Sequence, residues 1–513
     1  MSHISKNRRE FLVNAALGAG LLASTQAWAG QMPMNINDEQ KGEHNSIYAG
    51  QPFLPAQTLD VPDLPWTMDN GVKVFHLIAE PVKQHIHPDK TIDVWGYNGT
   101  CPGPTIQTVQ GDRARIIVDN HLPEATSMHW HGFEIPADMD GTPGIDQAPI
   151  SPGGRFIYEF TLHQEGTYFY HSHMAMQEMM GMLGAFILHP KKPYRPRADK
   201  DFVIMLQEYA VLPNNSVPNT MNMEFNWLVF NGKAGPAITP MIVRLGDRVR
   251  IRMINLGMDH HPIHLHGNTF YVTGTEGGRA PESTWRPENT VLVGVAQARD
   301  VEFDAKYAGD WMLHCHLPHH MMNQMSSNVG PMTRLGKGMP AGISMENGMG
   351  MLTGEPGVPL GEDYGPSLGH GIGVGSTNEQ PVGNTPLSPQ KAQAAMQHTP
   401  GMQHGTQMPG INIKTDVSPD ANSVPGFPQD AYMEGPMMAM DKAVWKPENY
   451  GLRPGWSGFM QGMMTLVRVL PPDEYDQIQE LIQKNRTQPI PYTPTMWKIP
   501  SGGPVELKNG RLK

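Results

Sequence analysis

Cysteine is scarce in this sequence, since its 513 residues include only Cys101 and Cys315. Two cysteines cannot build a disulfide framework, and if one of them binds a metal the other has no partner. Positive charge is also in short supply, because 38 Lys and Arg stand against 49 Asp and Glu. The resulting net charge of −11 gives no reason to expect nucleic acid as a partner. Beyond the amino-terminal region no segment is apolar enough to span a bilayer. The chain is long enough for two or three domains.

The amino terminus has the pattern of a twin-arginine export signal. Arg8 and Arg9 precede a short apolar run, and Ala27-Trp28-Ala29 has the form of an A-x-A cleavage site. A membrane anchor is the alternative, but the run is short and contains Gly and Asn. We therefore expect residues 1–29 to be a signal peptide and the mature protein to be exported to the periplasm.

An internal repeat divides the chain into two related halves. Gly111-Asp112-Arg113 recurs as Gly246-Asp247-Arg248, and HWHG recurs as HLHG, each 135 residues later. GTYFYHSH recurs as GDWMLHCH, so that His171 matches His314. The segments within each unit are short, β-branched and aromatic, and Gly, Pro and Asn separate them. This pattern predicts an all-β fold of two Greek-key sandwich domains.

Each half of the repeat contributes two His-x-His pairs. On a β-strand, residues i and i+2 lie on the same face, so each pair presents two imidazoles to one side. One such pair is weak support for a metal site, because surface histidines are common, but packing does not easily explain four pairs in matched positions. Neutral imidazoles in this number suit a cluster of copper ions between two domains better than they suit zinc. The pairs are His129/His131 and His171/His173 in the first half, and His264/His266 and His314/His316 in the second.

The stretch HCHLPHHMMNQM, from His314 to Met325, combines histidine, cysteine and methionine. The apolar and aromatic run before it predicts a buried strand, on which Cys315 faces away from His314 and His316. His320 and Met325 follow this strand and can fold back to the Cys315 side. Cysteine with histidine and a weak methionine ligand is the blue-copper set, although a zinc site or a chance accumulation of histidine stays open on these residues alone.

The two halves differ at this second ligand set. The matched pairs are His261 with Thr126, Cys315 with Ser172, His320 with Gln177, and Met325 with Met182. Three of the four blue-copper ligands are therefore missing from the first half. We expect the first domain to hold cluster ligands only and the second domain to hold both kinds of site.

The motifs HWHG, HSH, HPIHLHG and HCHLPHHMMNQM, in this order, resemble the multicopper oxidases over roughly residues 65–335. The resemblance implies cupredoxin-like domains that oxidise a donor one electron at a time at a type 1 copper. Electrons then pass through the Cys-His segment to a three-copper cluster, where dioxygen is reduced to water. The four copper ions implied per chain are type 1 with His261, Cys315, His320 and axial Met325, type 2 with His129 and His264, and a type 3 pair with His131, His171, His173, His266, His314 and His316.

The spacing of the motifs does not fit a three-domain laccase, because only 88 residues separate His173 from His261. The sequence resembles the two-domain class with type 1 copper in the second domain. In that class the cluster forms between the first domain of one subunit and the second domain of its neighbour, which implies a homotrimer. We expect the first domain over residues 65–195 and the second over residues 196–326.

Asp140, nine residues after His131, matches an acidic residue that this family uses to deliver protons near the cluster. Dioxygen reduction consumes protons, so a nearby carboxylate has a chemical role. A turn aspartate before Gly141 is the alternative. The family often has a second carboxylate just after the last type 1 histidine, but Met321 occupies that position here, and His319 has no assigned role.

The closing strand of the second domain does not follow Met325 directly. An irregular stretch rich in Gly, Pro, Met and His comes first, and only then GMMTLVRVLP, which resembles GMLGAFILHP of the first half. We predict an insertion over residues 327–455, a displaced last strand within 456–475, and a tail over 476–513. After the strand, PDEYDQIQELIQK predicts a short helix capped by Asp473. Met464, Leu466 and Val469 are expected to lie partly in the core of the sandwich that carries Cys315.

This displacement creates a rival axial ligand, Met463. Met325 is preferred on spacing, because it follows His320 by five residues, as Met182 follows Gln177.

The first functional hypothesis is an oxidase that passes electrons to dioxygen from phenols, aromatic amines or low-valent metal ions such as Cu(I). The alternative is a copper-tolerance or copper-binding protein, because residues 336–513 hold 15 of the 37 methionines and thioethers prefer Cu(I). A copper nitrite reductase shares the fold, but it has type 1 copper in the first domain and needs no eight-histidine cluster. The four His-x-His pairs favour the oxidase.

Overall fold

The computed structural model describes residues 48, 50–51, 53–88, 90–174, 176–211, 215–223, 225–321, 343–344, 351–352, 440–494, 496–498, 503–508 and 511–512. Strands dominate these ranges, so the prediction of an all-β fold is confirmed. None of the helices within them is long and apolar enough to cross a membrane. The predicted signal peptide, Met325 and most of the predicted insertion over 327–455 lie outside the described residues.

The first half of the chain forms a sandwich of two sheets. The strands, numbered along the chain, are β1 (Gln57–Thr58), β2 (Trp66–Asp69), β3 (Val72–His87), β4 (Lys90–Tyr97), β5 (Gly103–Val109), β6 (Arg113–Asn120), β7 (His129–His131), β8 (Arg155–Thr161), β9 (Gly166–His171) and β10 (Leu183–His189). One sheet has the order β2-β3-β6-β8, with β4 also paired to β3, and the other has the order β5-β10-β9-β7.

The second half forms a second sandwich, and β1 joins one of its sheets. The strands of this half are β11 (Lys200–Tyr209), β12 (Trp227–Phe230), β13 (Met241–Arg244), β14 (Arg248–Asn255), β15 (His261–Leu265), β16 (Phe270–Thr275), β17 (Gly278–Arg279), β18 (Arg286–Glu288), β19 (Thr290–Val293), β20 (Ala298–Asp304), β21 (Gly309–Cys315), the short pair β22 (Ile343–Ser344) and β23 (Met351–Leu352), and β24 (Met464–Leu470). The sheet that includes β1 has the order β1-β11-β14-β20-β16-β17, with β12 paired to β11 and β18 paired to β16. The facing sheet has the order β13-β24-β21-β15-β19.

Helices and short strands complete the described part of the chain. Helix α1 (Pro318–Met321) follows β21, and helix α2 (Pro472–Thr487) follows β24. The 3-10 turns are Ala137–Met139, Glu282–Thr284, Pro447–Asn449 and Trp456–Phe459, and the last strand pair is β25 (Leu507–Lys508) with β26 (Arg511–Leu512).

The burial of the strands follows from what covers each face. In β6 every second side chain is buried, as expected of a strand with one face on the core and one toward solvent. All seven residues of β10 are buried, because its second face packs on the other sandwich. Phe169 and Ile187 of the first sandwich pack there against Val203 and Ile254 of the second. The two sandwiches are therefore joined by an apolar layer.

A buried polar network crosses the same contact between the sandwiches. Arg252, which is fully buried, donates to Thr167 of β9 over 2.8 Å and to both carboxylate oxygens of Asp201 over 2.8 and 2.9 Å. Thr167 in turn donates to Asp300 over 2.6 Å. Because buried charges require good partners, this network favours one arrangement of the two sandwiches.

β24 is an interior strand of the sheet that carries Cys315. It pairs in antiparallel with β21, where Met464 lies opposite His314, and in parallel with β13. A segment that follows Cys315 by more than a hundred residues thus completes the sheet beside it.

The alternation of side chains along β24 corrects one expectation from the sequence. Val467 and Val469 pack in the core that contains Cys315, as expected of Val469. Met464 and Leu466 instead pack on the opposite face of the sheet, in a cluster with Met460. Both side chains are buried, but the expectation that they lie partly in the core between the two sheets is wrong, because alternate residues of a strand face opposite sides.

Candidate metal centres

The first sandwich brings its two His-x-His pairs together at the ends of β7 and β9. His129 lies directly opposite His171 in the paired strands. Nδ1 of His131 lies 3.4 Å from Nε2 of His171, and the ring of His173 lies 5.2 Å from that of His129. Trp130, between the two histidines of β7, is fully buried, so the strand turns both imidazoles outward. The ring nitrogens of His129, His131 and His171 are close enough together to hold one metal ion.

The second sandwich repeats this arrangement with its own two pairs. His264 of β15 lies opposite His314 of β21. Nε2 of His266 lies 3.0 Å from Nε2 of His314, and the ring of His316 lies 5.4 Å from those of His264 and His314. The matched sequences thus build two matched groups of four imidazoles.

Backbone carbonyls set the tautomers of four of these histidines. Because a carbonyl oxygen can only accept a hydrogen bond, a ring nitrogen that contacts one must carry the proton. The other ring nitrogen then keeps its lone pair for a metal ion. The four Nδ1-to-carbonyl contacts are His129 to Asp140 at 2.8 Å, His171 to Ser172 at 2.9 Å, His264 to Asn289 at 2.7 Å and His314 to Cys315 at 2.9 Å.

Most of the resolved pKa shifts in these groups favour neutral imidazoles. Burial and the neighbouring His171 and His129 lower the pKa of His131 to about 4. Burial is also the main cause of the lowered pKa of His266 and of His314. His171 is the exception: burial lowers its pKa, but the hydrogen bond and the charge of Glu178, together with the Ser172 carbonyl, raise the pKa by more.

The two groups of imidazoles do not meet within one chain. Among the described residues, every ring contact of these eight histidines joins members of the same half. His173 and His316 are exposed, and His129 and His264 are partly exposed. Each group is therefore open to solvent on the side to which its imidazoles point.

A different set of donor atoms lies inside the second sandwich, on the opposite face of β21. Cys315 Sγ lies 3.3 Å from Nδ1 of His320 and 3.8 Å from Nδ1 of His261, and the two Nδ1 atoms are 3.0 Å apart. All three residues are buried. One sulfur and two imidazole nitrogens that converge in this way form the trigonal set of blue-copper sites.

The charge states of this buried set suit a metal ion. Burial, together with His261 and His319, lowers the pKa of His320 to about 3, so its imidazole is neutral at pH 7. Burial raises the pKa of the Cys315 thiol to about 12. The thiol therefore keeps its proton until a bound metal ion displaces it.

Two carboxylates that the sequence analysis missed lie behind these histidines. Glu208 Oε2 lies 3.4 Å from Nε2 of His261, and Asp259 Oδ2 lies 3.8 Å from Nε2 of His320. Glu208 is fixed by the backbone N–H groups of Met258 and Asp259, which donate to its Oε1. A proton on Nε2 that faces a carboxylate leaves Nδ1 free for the metal ion.

Gly257 makes room for the Glu208 carboxylate, since a Cβ at this position would lie 1.8 Å from Glu208 Oε2. Glu208 itself is a charged residue two positions after the apolar run VIML within the same strand, which was the available sequence signal.

The first sandwich has a neutral polar trio where the second has the buried donor set. Thr126, Ser172 and Gln177 match His261, Cys315 and His320 in the repeat. Gln177 Oε1 accepts hydrogen bonds from Ser172 at 2.7 Å and from Thr126 at 2.8 Å. The two halves thus fold alike at this position and differ only in the chemistry of three side chains.

Two carboxylates also lie beside the outward imidazoles of the first sandwich. Asp140 Oδ1 lies 3.5 Å from Nδ1 of His129, where the sequence analysis expected an acidic residue. Glu178 Oε2 lies 3.3 Å from Nδ1 of His171 and was not singled out from the sequence. Of the remaining predicted positions, His319 is exposed, and Met325 lies outside the described residues.

Parts of this chain are similar in sequence to known proteins. Two family models described as multicopper oxidase match residues 81–193 and 211–331. Copper resistance protein A of Pseudomonas syringae pv. tomato is 38% identical over 134 residues, or 26% of this chain and 22% of that protein. Copper resistance protein A of Escherichia coli is 37% identical over 191 residues, or 37% of this chain and 32% of that protein. The solved multicopper oxidase mgLAC is 30% identical with a TM-score of 0.45, and the match covers 48% of this chain and 80% of that one.

The chain therefore spans about a fifth to a third of the length of these two curated relatives.

Proposed function

We propose, because the chain belongs to the multicopper oxidase family, that it couples one-electron oxidation of a small donor to the four-electron reduction of dioxygen to water. The observation that carries this proposal is the position of Cys315. It faces a buried sulfur–imidazole set, while its neighbours His314 and His316 face an outward imidazole group. Copper ions bound at these sets supply the electron transfer and the oxygen chemistry.

The residues present fit four copper ions per chain. The buried set suits one type 1 copper, because it offers a thiolate and two imidazoles. His129 and His264, which lie in matched positions, are assigned to a type 2 copper. The remaining six histidines are assigned to a type 3 pair; they are His131, His171, His173, His266, His314 and His316.

Asp140 and Glu178 are the groups that we assign to proton delivery. Each side chain is 35% exposed, and each carboxylate lies within 3.5 Å of an imidazole nitrogen of the first sandwich. A carboxylate in such a position can take a proton from solvent and hold it beside the imidazoles. Dioxygen reduction consumes protons, so this role follows from the proposed reaction.

Electrons enter, in this proposal, at the edge of His320. Its neighbour Asp259 is 26% exposed, whereas Glu208 beside His261 is completely buried. A partly exposed carboxylate attracts cationic donors more strongly than neutral ones. This arrangement favours a low-valent metal ion such as Cu(I) over a phenol as the reducing substrate.

The complete cluster, we infer, forms between subunits of a homotrimer. Each chain carries two groups of four imidazoles, and the groups make ring contacts only within their own half. On β19, Leu292 is 57% exposed and lies opposite Pro262, on the same face of the sheet as His264. On the first sandwich, Ile145 in the loop after Asp140 is 85% exposed. Exposed apolar side chains near both open groups support contact with a second copy.

Oxygen uptake by the purified, copper-loaded protein tests the oxidase proposal. We expect turnover with a Cu(I) complex and with a phenol, and we expect Asp259→Asn to lower kcat/KM for Cu(I) more than for the phenol. Glu282→Gln, at an exposed glutamate far along the sequence from His320, is the matched control. A copper-replete protein that consumes no dioxygen with any donor would refute the proposal.

A copper-tolerance role is the second candidate function. It is favoured by the names of two relatives, both called copper resistance protein A. Export to the periplasm through the twin-arginine signal over residues 1–29 would suit either function and is part of the proposal.

A further inference from the structure

We propose that the axial thioether of the type 1 site comes from Met463 and not from Met325, an inference that rests on the proposed copper function. Met463 follows His320 by 143 residues in the sequence. In the structure its backbone is bonded to the segments of two predicted ligands. The Cys315 N–H donates to the Met463 carbonyl over 3.1 Å, and the Met463 N–H donates to the His320 carbonyl over 3.1 Å.

The first sandwich shows which methionine these bonds identify. There the Ser172 N–H donates to the Met182 carbonyl over 2.9 Å, and the Met182 N–H donates to the Gln177 carbonyl over 3.2 Å. Ser172 and Gln177 are the counterparts of Cys315 and His320 in the repeat. Met463 is therefore the structural counterpart of Met182. Spacing along the sequence favours Met325, but backbone pairing favours Met463, and pairing determines where a side chain lies.

The side chain of Met463 lies on the face of the sheet that holds Cys315. Met464 is opposite His314, so these two residues share the outward face. The preceding residue then points to the inward face, since neighbours on an extended strand alternate. In agreement, Met463 is fully buried and packs in the same apolar core as Cys315.

Gly462 brings this segment close to His320. Its φ is +50°, and a Cβ at this position would lie 2.2 Å from the His320 carbonyl oxygen. Only glycine permits so close an approach. Gly181, before Met182, also has a positive φ, of +107°. The glycine before the methionine thus allows the displaced strand to lie directly against the segment that carries His320.

A buried thioether beside one thiolate and two imidazoles completes the blue-copper set, in which a weak, long axial ligand tunes the reduction potential. Two residues that lie 143 positions apart in the sequence, His320 and Met463, would thus hold the same copper ion.

Met463→Leu and Met463→Gln test this assignment in the full-length, copper-loaded protein. The measurements are the Cu(II) EPR spectrum, the visible absorption and the reduction potential. We expect leucine to raise the potential, because a donor that stabilises Cu(II) is lost. Glutamine should lower it and alter the EPR spectrum, because an amide oxygen is a stronger donor to Cu(II). Leucine and methionine are similar in volume, so Met463→Leu should keep the wild-type copper content and Tm.

Met182→Leu is the matched control, because it makes the same substitution at the counterpart position of the first sandwich. There Ser172 takes the place of Cys315, so that no thiolate is present. Together with Met325→Leu it should leave the spectra and the potential of the wild type. The assignment would be overturned if Met325→Leu changed the spectra and the reduction potential while both Met463 variants kept the wild-type values. A wild type with no blue copper would refute the proposed function as well, whereas a blue protein insensitive to both Met463 substitutions would refute this inference alone.

Discussion

Glu208 is a buried carboxylate that faces the ring of His261. Its Oε1 accepts two backbone N–H groups, and its Oε2 lies 3.4 Å from Nε2 of His261 without a hydrogen bond between the two atoms. The negative charge so close to Nε2 favours a proton on that nitrogen and leaves Nδ1 to face Cys315. A single side chain outside the donor set thus selects which atom of His261 can bind the metal ion.

Glu208→Gln should weaken type 1 copper binding by about 10- to 100-fold, as is usual when the partner of a metal-binding histidine is lost. The amide would keep its oxygen toward Met258 and Asp259 and turn its NH₂ group to His261. That group can only donate, so it would favour the tautomer with a proton on Nδ1. Copper titration followed by the blue absorption measures the effect, with the exposed Glu282→Gln as control. Equal affinities in the two variants would contradict this role.

Cys315→Ser should abolish the blue absorption while most of the other copper is retained. The thiolate is the ligand responsible for the intense band, whereas the outward imidazole groups contain no residue of the buried set. We expect about three of four copper ions to remain by metal analysis, since the imidazole geometry is set independently. A variant that loses all copper, although its melting curve matches the wild type, would show that the two sets are not independent.

The sequence predicted single residues well where a short-range pattern exists. His314, Cys315 and His316 alternate on one strand, so their opposite directions follow from period two. Glu208 and Glu178 could not be found in this way, because no motif links them to the histidines they contact. Glu208 is 53 residues from His261 in the sequence, and only the pairing of the strands brings the two together.

At the scale of elements, β24 is the strand that the second sandwich cannot lose. It lies between β13 and β21, so its removal would separate two neighbours and expose their backbone groups. Val467 and Val469 are completely buried, as is Met463 just before the strand. Each such side chain contributes about 1.5–3 kcal/mol, and the three together approach the whole stability of a typical domain, about 5–15 kcal/mol.

Truncation after residue 455 should therefore give a protein without blue copper and without a cooperative melting transition for the second sandwich. Circular dichroism melts and copper analysis measure both properties. Deletion within residues 370–425, which removes chain but not β24, is the control and should leave fold and blue absorption intact. A stable, blue protein truncated at 455 would show that β24 is dispensable.

The type of each secondary-structure element was easier to predict from the sequence than the placement of its individual residues. The all-β prediction is confirmed because β-branched and aromatic runs between turn residues are a local signal. The helix after β24 was also expected, but Asp473 lies in its first turn and makes no capping hydrogen bond. Met464 and Leu466 were misplaced because apolar character was considered without the alternation that pairing with β21 imposes.

At the scale of the whole molecule, the proposed homotrimer makes the two imidazole groups complementary halves of one site. A single chain holds both halves, but they make ring contacts only within themselves. In a closed ring of identical subunits, every first sandwich can meet the second sandwich of a neighbour. This arrangement leaves neither half unmatched.

Mixed oligomers test this arrangement directly. One variant carries His129→Ala and His131→Ala, the other His264→Ala and His266→Ala, and each alone should be blue but inactive. When the two variants are co-expressed, some subunit contacts pair the intact first sandwich of one variant with the intact second sandwich of the other. These contacts regain a complete cluster. Random mixing in equal amounts should restore about a quarter of the wild-type activity. No recovery in mixed, blue trimers would show that the cluster lies within one chain.

The position of β24 also imposes an order of events on the newly made chain. The ribosome completes Cys315 149 residues before the first residue of β24. At roughly 5–20 residues per second, this corresponds to a delay of roughly 7–30 s. Throughout that interval the second sandwich lacks an interior strand, so its thiol and imidazoles have no closed pocket in which to converge. Metal insertion into the proposed type 1 pocket is therefore expected to follow translation, and the late synthesis of β24 would keep a nascent chain from trapping the wrong ion there.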